Sequence, residues 1–153
     1  MLNSEKNKIR YNDLKSKGLC VCCGDSPAVV PSGHGRPTIK FCIECRNRIN
    51  QGRSEKRLQQ KSLVLTHYGP NNKLKCCWDG CEVCDPDMLS LDHIDNTGNE
   101  DRKKTGLSGI TLYYKLIKQG FPQGFQTLCH NHQWKKEILR RRADINGTPT
   151  WRK

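Results

Sequence analysis

Two short stretches of sequence decide how the second half of the chain folds: Leu89-Ser90-Leu91-Asp92-His93-Ile94 and Leu128-Cys129-His130-Asn131-His132. Apolar and polar residues alternate in the first stretch, which predicts a short strand over residues 88–93. The second stretch begins inside another strand candidate, residues 125–129, and leads into a helix predicted over residues 132–142. Two strands and a helix carrying acids, cysteines and histidines predict a small α+β unit with a metal-binding site.

Upstream of this unit, four cysteines form two Cys-x-x-Cys pairs with eighteen residues between them: Cys20, Cys23, Cys42 and Cys45. A turn of this type places two sulfur atoms on one edge of a tetrahedron whose Zn–S bonds are about 2.3 Å long. The spacing therefore predicts a structural four-cysteine zinc site, and Cys22 is surplus to it. The Gly- and Pro-rich residues 31–37 predict a loop between the two pairs.

A second set of cysteines surrounds the first strand. Cys76, Cys77, Cys81 and Cys84 precede this strand, and the pair Cys129-x-x-His132 follows the second strand. A knuckle of Cys129 and His132 needs two more ligands, and the spacing allows either Cys81 with Cys84 or Cys76 with Cys81. In both cases the ion ties together segments about fifty residues apart, which stabilises a fold with little core.

The composition restricts the class of protein. Only 34% of the 153 residues are hydrophobic, whereas ten are cysteines, as in small modules that metals stabilise. The first ten residues contain no apolar segment of the secretory type. The longest apolar runs, such as residues 63–65, are too short to cross a bilayer. We therefore expect a cytoplasmic protein without membrane association, in which cysteines bind zinc instead of forming disulfides.

The charge is distributed unevenly. Lysine and arginine number 27 and aspartate and glutamate 15, which gives a net charge of +12. Residues 76–101 contain no lysine or arginine and hold eight of the fifteen acids. The remaining 27 basic and seven acidic residues give the rest of the chain a charge of +20. A surface this basic fits DNA or RNA, and carboxylates placed inside it are consistent with a bound divalent cation.

Residues 63–142 resemble the HNH endonucleases of the phage and homing type. The resemblance rests on residues 89–94, on a Gly/Asn loop followed by Arg102, and on residues 128–136. It implies a ββα-metal (His-Me finger) fold, in which two antiparallel strands and a helix hold one catalytic divalent ion. Relatives with a Cys-x-Trp-x-Gly-Cys segment favour Cys76 and Cys81 as the second zinc pair.

The same resemblance implies the roles of the site residues. Asp92 is expected to bind Mg²⁺ or Mn²⁺, and His93 is expected to act as the general base that activates water. The family usually has Asn or His four residues after the cysteine of the second knuckle, where this chain has Gln133. Gln133 and Asn131 are the candidates for the second ligand, with His130 a further one; Asn131 is equally suited to cap the last helix. Gly124 stands where the usual middle Asn is expected.

Basic residues on both sides of the site are expected to contact DNA. These residues are Arg102, Lys103, Lys104, Lys135, Lys136, Arg140 and Arg141. The leading hypothesis is a metal-dependent endonuclease of double-stranded DNA, encoded by a phage or another mobile element, with two structural zinc ions. One alternative is a non-catalytic zinc-dependent DNA- or RNA-binding protein, in which the Asp-His pair only packs the fold. Another is an enzyme that acts on RNA or branched DNA.

The sequence also predicts the organisation of the chain. Its predicted parts are a zinc-binding module over residues 1–50, a basic helical linker over 51–66, the HNH nuclease domain over 67–142 and a loose tail over 143–153. Three further helices are predicted: one over residues 8–17, one beginning at Ser54 as N-cap, and one over 112–119 with Thr111 as N-cap. Gly120 is expected to end the last of these.

Overall fold

The computed structural model describes residues 3–29 and 40–146. They form a small α+β protein, and the predicted loop over residues 31–37 and the part of the predicted tail after residue 146 lie outside the described residues. The elements, in chain order, are α1 (Asn3–Ser16), α2 (Ile43–His67), a 3₁₀ turn (Pro70–Asn72), β1 (Leu89–His93), α3 (Gly98–Thr105), α4 (Ile110–Lys118), β2 (Phe125–Cys129) and α5 (His130–Asn146). No helix in these described ranges is long and apolar enough to cross a bilayer.

The chain forms two compact units, Met1–Glu55 and Lys56–Lys153, and the boundary between them falls within α2. In the first unit, the buried core consists of Cys20, Cys42 and Cys45, with Phe41 packed against it. Cysteines thus take the place of the aliphatic core that this part of the sequence lacks. This arrangement agrees with the expectation that metal ligands stabilise the unit.

The helix α2 begins eleven residues before the predicted N-cap, Ser54, which lies in its interior, so that prediction is wrong. The reason is the second cysteine pair, which forms the first turn of the helix. The backbone N–H of Cys45 donates to Cys42 Sγ at 3.4 Å, and the N–H of Arg46 donates to the Cys42 carbonyl at 3.0 Å. Cys42 therefore satisfies helix-terminal donors as a capping side chain would. Gly52 is accommodated in the exposed middle of the helix.

In the second unit, β1 and β2 form an antiparallel pair in which Asp92 lies opposite Gln126 and His93 opposite Phe125. The predicted strands are confirmed, apart from one residue at the start of β1. The helix α5 follows β2 without a loop and begins two residues earlier than predicted. It ends at Asn146, so the prediction of a loose tail from residue 143 is wrong for residues 143–146. Asn131 therefore lies inside the first turn of α5, and its interpretation as an N-cap is wrong.

Two clusters of buried side chains hold this unit together. One contains Leu65, Leu89 and Leu128 with three of the cysteines, and the other contains Val64 and Leu116 with Tyr113. Leu65 of α2 packs in the first cluster and its neighbour Val64 packs in the second, which explains why both are fully buried. The sheet and α4 are thus packed on the same end of α2.

The helix α3 was not predicted, and α4 differs from prediction at its start. The Gly/Asn loop expected before Arg102 ends at Gly98, where α3 begins. The helix α4 begins before Thr111, so Thr111 is not its N-cap; its hydroxyl instead donates to the Ser108 carbonyl at 2.7 Å. The predicted end at Gly120 is confirmed. Gly120 has φ +71°, and the N–H of Phe121 donates to the Leu116 carbonyl at 2.9 Å, as in a Schellman motif.

Candidate metal centres and the Asp92–His93 site

The four cysteines of the first unit converge on one point. The Sγ atoms of Cys20, Cys23, Cys42 and Cys45 all lie within 4.8 Å of one another. Cys23 Sγ and Cys42 Sγ are 3.9 Å apart, close to the edge of about 3.8 Å expected for a tetrahedron with Zn–S bonds of ~2.3 Å. The cluster can hold a metal ion, and four thiolates suit zinc. Cys22 lies outside it, where it accepts a hydrogen bond from Arg48 Nη2 at 3.4 Å.

The pKa values of Cys20 and Cys45 in this cluster are shifted in opposite directions. Burial raises the pKa of Cys20, but hydrogen bonds from the backbone amides of Cys23, Cys42 and Cys22 outweigh burial and lower it to about 6. The pKa of Cys45 is raised far above its usual value, first by its neighbour Cys42 and then by burial. Several thiolates in one place repel each other, and a divalent cation removes that repulsion. The cluster is therefore built for four thiolates only when a cation is present.

The second cluster consists of Cys76, Cys81, Cys129 and His132, whose ligand atoms also lie within 4.8 Å of one another. His132 Nδ1 is 3.6 Å from Cys76 Sγ, and the Sγ atoms of Cys81 and Cys129 are 4.0 Å apart. Of the two pairings that spacing allowed, the structure brings Cys76 with Cys81 to the knuckle. Cys84 is exposed and lies outside the cluster.

The imidazole of His132 is held in place by stacking. Its ring lies parallel to Trp78, with centroids 4.8 Å apart and planes 5° apart, and Lys135 Nζ lies 5.3 Å from the centroid of the same indole. Burial, followed by the charge of Lys135, lowers the pKa of His132. A lowered pKa keeps the imidazole neutral, which is the form that binds a metal ion. Cys77 takes no part, because its thiol donates to the Tyr68 carbonyl at 3.3 Å.

His93 ends β1 in a confined position. Its ring centroid is 4.6 Å from that of Phe125, its partner across the strand pair. A Cβ added to Gly98 would lie 2.9 Å from His93 Nδ1, so the imidazole fits only because residue 98 has no side chain. His93 Nε2 is buried, has no hydrogen-bond partner within the described residues, and lies 3.6 Å from Asp101 Oδ2. Sequence reasoning missed the role of Asp101, whose only signal was its membership of the acidic segment.

Two cavities meet at this imidazole. One has a volume of about 230 Å³ and the other about 270 Å³, and both are lined by His93 and Asp101. Gln133 and Arg102 line the larger cavity, and Lys115 lines the smaller one. A buried imidazole nitrogen beside a carboxylate can accept a proton from a molecule that enters either cavity.

Asp92 is neutralised by the protein itself. Lys136 Nζ donates to Asp92 Oδ2 at 2.6 Å, and Gln126 Nε2 donates to the same oxygen at 2.8 Å. The Lys136 ammonium also donates to the carbonyl oxygens of His93, at 2.6 Å, and Ile94, at 3.2 Å. Lys136 is only 8% exposed, so the prediction that it contacts DNA is wrong. Its ammonium instead forms hydrogen bonds within the fold.

The other predicted ligands of the catalytic ion do not complete a set around Asp92. Gln133 Nε2 donates to the Leu91 carbonyl at 3.1 Å, while Asn131 and His130 are exposed in the first turn of α5. Among the described residues, Asp92 belongs to neither of the two metal-ligand clusters, which consist of cysteines and His132. Gly124, in the position of the usual middle Asn, accepts a hydrogen bond from the N–H of Ile94.

The remaining basic residues predicted to contact DNA lie at or near the surface. Arg102, Lys103 and Lys104 on α3, and Lys135 and Arg141 on α5, are exposed. Arg140 is half-buried, and its guanidinium donates twice to Glu137, which also accepts a hydrogen bond from Arg141 at 2.8 Å. These hydrogen bonds, first those from Arg140 and then those from Arg141, lower the pKa of Glu137 to about 2.

Comparison of the chain with protein-family models, with curated proteins and with solved structures found no match. The residues themselves provide two four-ligand clusters that can hold metal ions and an imidazole that faces a carboxylate at the end of β1. Cys129 ends β2 and His132 lies in the first turn of α5, so an ion bound there fixes the strand pair that carries His93. The metal cluster and the imidazole thus belong to one small structural unit.

Proposed function

We propose that this chain hydrolyses phosphodiester bonds in double-stranded DNA, with His93 as the general base on a ββα (His-Me finger) core. The observation that carries the proposal is the position of His93 Nε2, which is buried 3.6 Å from Asp101 Oδ2 at the wall of two cavities. A histidine with a packing role alone would need neither a carboxylate next to its ring nor a glycine at position 98 to make room for it. The antiparallel strand pair, whose second strand leads directly into α5, supports the proposed core.

The proposed reaction uses water as the nucleophile. As the water oxygen forms a bond to phosphorus, its proton passes to His93 Nε2 and the bond from phosphorus to the 3′ oxygen breaks. The leaving 3′ oxygen takes a proton from solvent, so the products are a 3′ hydroxyl and a 5′ phosphate. The carboxylate of Asp101, 3.6 Å from the same nitrogen, stabilises the imidazolium that forms through its opposite charge.

Exposed basic side chains next to this site supply the affinity for a phosphate backbone. Arg102 lines the larger cavity together with His93, and Lys103 and Lys104 follow it on α3. Because α3 also carries Asp101, phosphates bound by these cations would lie close to the proposed base. Such contacts position a duplex without reading its sequence.

A catalytic Mg²⁺ or Mn²⁺ ion at Asp92 is implied by the resemblance, but the residues as arranged do not fit one. One carboxylate oxygen of Asp92 is occupied by both the Lys136 ammonium and the Gln126 amide. The Gln133 amide nitrogen is bonded to the Leu91 carbonyl, and Asn131 is exposed. We therefore assign the proton transfer to His93 and Asp101 alone.

The two zinc ions that we propose have a structural role. Each cluster supplies four protein ligands, which fill a tetrahedral coordination sphere and leave no position for water or substrate. Both ions would therefore stabilise the fold in place of a larger apolar core, and neither would take part in hydrolysis. The second ion would act on catalysis only through the positions of β1, β2 and α5.

The Asp92–Lys136 pair favours a second candidate function. A carboxylate that is neutralised inside the fold serves packing, and this is the expectation for a non-catalytic zinc-dependent DNA- or RNA-binding protein. In that case the exposed cations would bind nucleic acid and His93 would only support the strand pair. The two functions differ in one measurable property, which is the breakage of a phosphodiester bond.

A nicking assay separates the two candidates. The zinc-loaded full-length protein is incubated with supercoiled plasmid without added divalent ion, with Mg²⁺ and with Mn²⁺, next to His93→Ala and Asp101→Asn proteins of equal zinc content. We expect relaxed circles with the wild type, and a rate at least about 100-fold lower with His93→Ala. Intact plasmid under all conditions, together with binding to a fluorescent duplex, would establish the non-catalytic function. RNA and branched DNA substrates, tested in parallel, show whether duplex DNA is the preferred substrate.

A further inference from the structure

Three oxygen atoms at the end of β1 point at one cation, which belongs to the chain itself. The Lys136 ammonium lies 2.6 Å from Asp92 Oδ2, 2.6 Å from the His93 carbonyl oxygen and 3.2 Å from the Ile94 carbonyl oxygen. The side chains of Lys136 and Asp92 are 9% and 17% exposed. This is a complete environment for a buried ammonium, which has three protons to donate.

The chemistry of these oxygens is not specific to an ammonium. A carboxylate and carbonyl oxygens are also the ligands that hard divalent ions such as Mg²⁺ and Mn²⁺ prefer. Gln126, opposite Asp92 across the strand pair, donates to the same carboxylate oxygen at 2.8 Å and holds it in this orientation. The Asp92 carboxylate and the two carbonyl oxygens therefore form a cation site, and the Lys136 ammonium occupies it.

We propose that Lys136 is the permanent cation of this site and that its ammonium excludes divalent ions from Asp92. A divalent ion binds there only where the ammonium has been removed, because both cations use Asp92 Oδ2 and two like charges cannot share it. The inference concerns ion binding alone and is independent of whether the chain cleaves DNA.

Lys136 is also a positioning residue for His93. Its ammonium holds the backbone carbonyls of residues 93 and 94, and α5, which carries Lys136, begins next to the second metal cluster. The cation thereby connects the end of β1 to α5 at the residue that we propose as the general base. A divalent ion in the same place would have to supply all three of these contacts.

The test is Mn²⁺ binding to the zinc-loaded full-length protein, followed by the paramagnetic resonance signal of free Mn²⁺. Lys136→Met removes the charge and keeps the length of the side chain, and Lys135→Met, on the exposed face of the same helix, is the matched control. We expect Lys136→Met to bind one Mn²⁺ per chain at least about tenfold more tightly than wild type or Lys135→Met. The added site should disappear in Asp92→Asn/Lys136→Met. Equal binding by wild type and Lys136→Met would overturn the proposal.

A second measurement on the wild type covers the case in which Lys136→Met does not fold. The amide proton and nitrogen resonances of residues 92–94 are recorded while Mn²⁺ is added. Under the proposal they stay sharp at concentrations of Mn²⁺ that broaden the resonances of the exposed acids Asp85 and Asp87. Selective broadening at residues 92–94 would show that a divalent ion enters the site with the ammonium present, and the proposal would be wrong. Intact plasmid after incubation with the wild type would count against the proposed function only, because neither Mn²⁺ measurement depends on cleavage.

Discussion

Lys136 Nζ lies 2.6 Å from Asp92 Oδ2, and this ion pair joins α5 to the end of β1 in a largely buried position. A charge in such a position depends on its partner, because removing one member leaves the other without compensation. The pair therefore holds the strand that carries His93 against the helix that carries His132.

Removing both partners of the ion pair should cost less than the sum of the two single removals. Lys136→Met and Asp92→Asn are each expected to lower the free energy of unfolding by about 3 kcal/mol, because each leaves a buried partner unpaired. The double variant should be less destabilised than the sum of the two, by 1 kcal/mol or more. Urea unfolding at saturating zinc provides the measurement, with Lys135→Met as the surface control. Strictly additive effects would show that the pair is not coupled.

The purified protein should contain about two zinc ions per chain, one for each four-ligand cluster. Cys20→Ser and Cys76→Ser should each lower the zinc content to about one, because each removes a ligand from a different cluster. Cys84→Ser should retain both ions, since Cys84 is exposed and outside the clusters. A strong chelator should remove the zinc and unfold the protein. Metal analysis and circular dichroism test this, and one ion or none in the wild type would exclude the two-cluster arrangement.

Gly98→Ala should displace the imidazole of His93, because the new Cβ would lie 2.9 Å from its Nδ1. A misplacement of the base by a fraction of an ångström to 1 Å is expected to slow nicking by about tenfold to 100-fold. Zinc content should not change. Gly52→Ala is the control: it lies inside α2 with open space around it, and should leave nicking unchanged and stabilise the helix by up to about 1 kcal/mol. Normal nicking by Gly98→Ala would show that this contact does not matter for activity.

Thr127 should be required for stability although its side chain carries no charge. It is fully buried, and its hydroxyl donates to the Leu65 carbonyl at 2.8 Å, near the end of α2. Thr127→Val keeps the volume but leaves that carbonyl without a donor, at an expected cost of about 1–3 kcal/mol in the free energy of unfolding. Thr127→Ser retains the hydroxyl and should recover at least half of this loss. Equal stability of the Val and Ser variants would contradict the assignment.

The parts of the fold that the sequence predicted are those with a local signal. The strand β1 was predicted because its apolar and polar residues alternate, and the end of α4 was predicted because Gly120 supplies the left-handed conformation of its C-terminal motif. The start of α2 was missed because Cys42, a metal-ligand candidate, also caps that helix. The helix α3 was not predicted at all, because Gly98, Asn99 and Asp101 in its first turn have low helix propensity.

The parts of the site that the sequence left open or wrong depend on contacts between distant residues. Cys76, Cys81 and Cys84 all have suitable spacing before β1. What distinguishes Cys76 from Cys84 is its packing against Cys129, whose N–H donates to Cys76 Sγ at 3.3 Å. Lys136 belonged to a basic block typical of a DNA-contacting surface. Its burial against Asp92 results from the way α5 packs on the strands, and no neighbouring residue indicates it.

The most direct test of the proposed function is the rate of single-turnover cleavage of plasmid DNA by zinc-loaded wild type and His93→Ala, each with and without added imidazole. The wild type should nick the DNA, and His93→Ala should be at least about 100-fold slower. Free imidazole should restore part of the rate of His93→Ala and leave the wild type unchanged, since it can replace a missing base but cannot repair a damaged fold. Cleavage by His93→Ala at the wild-type rate would contradict the assignment of His93 as the general base.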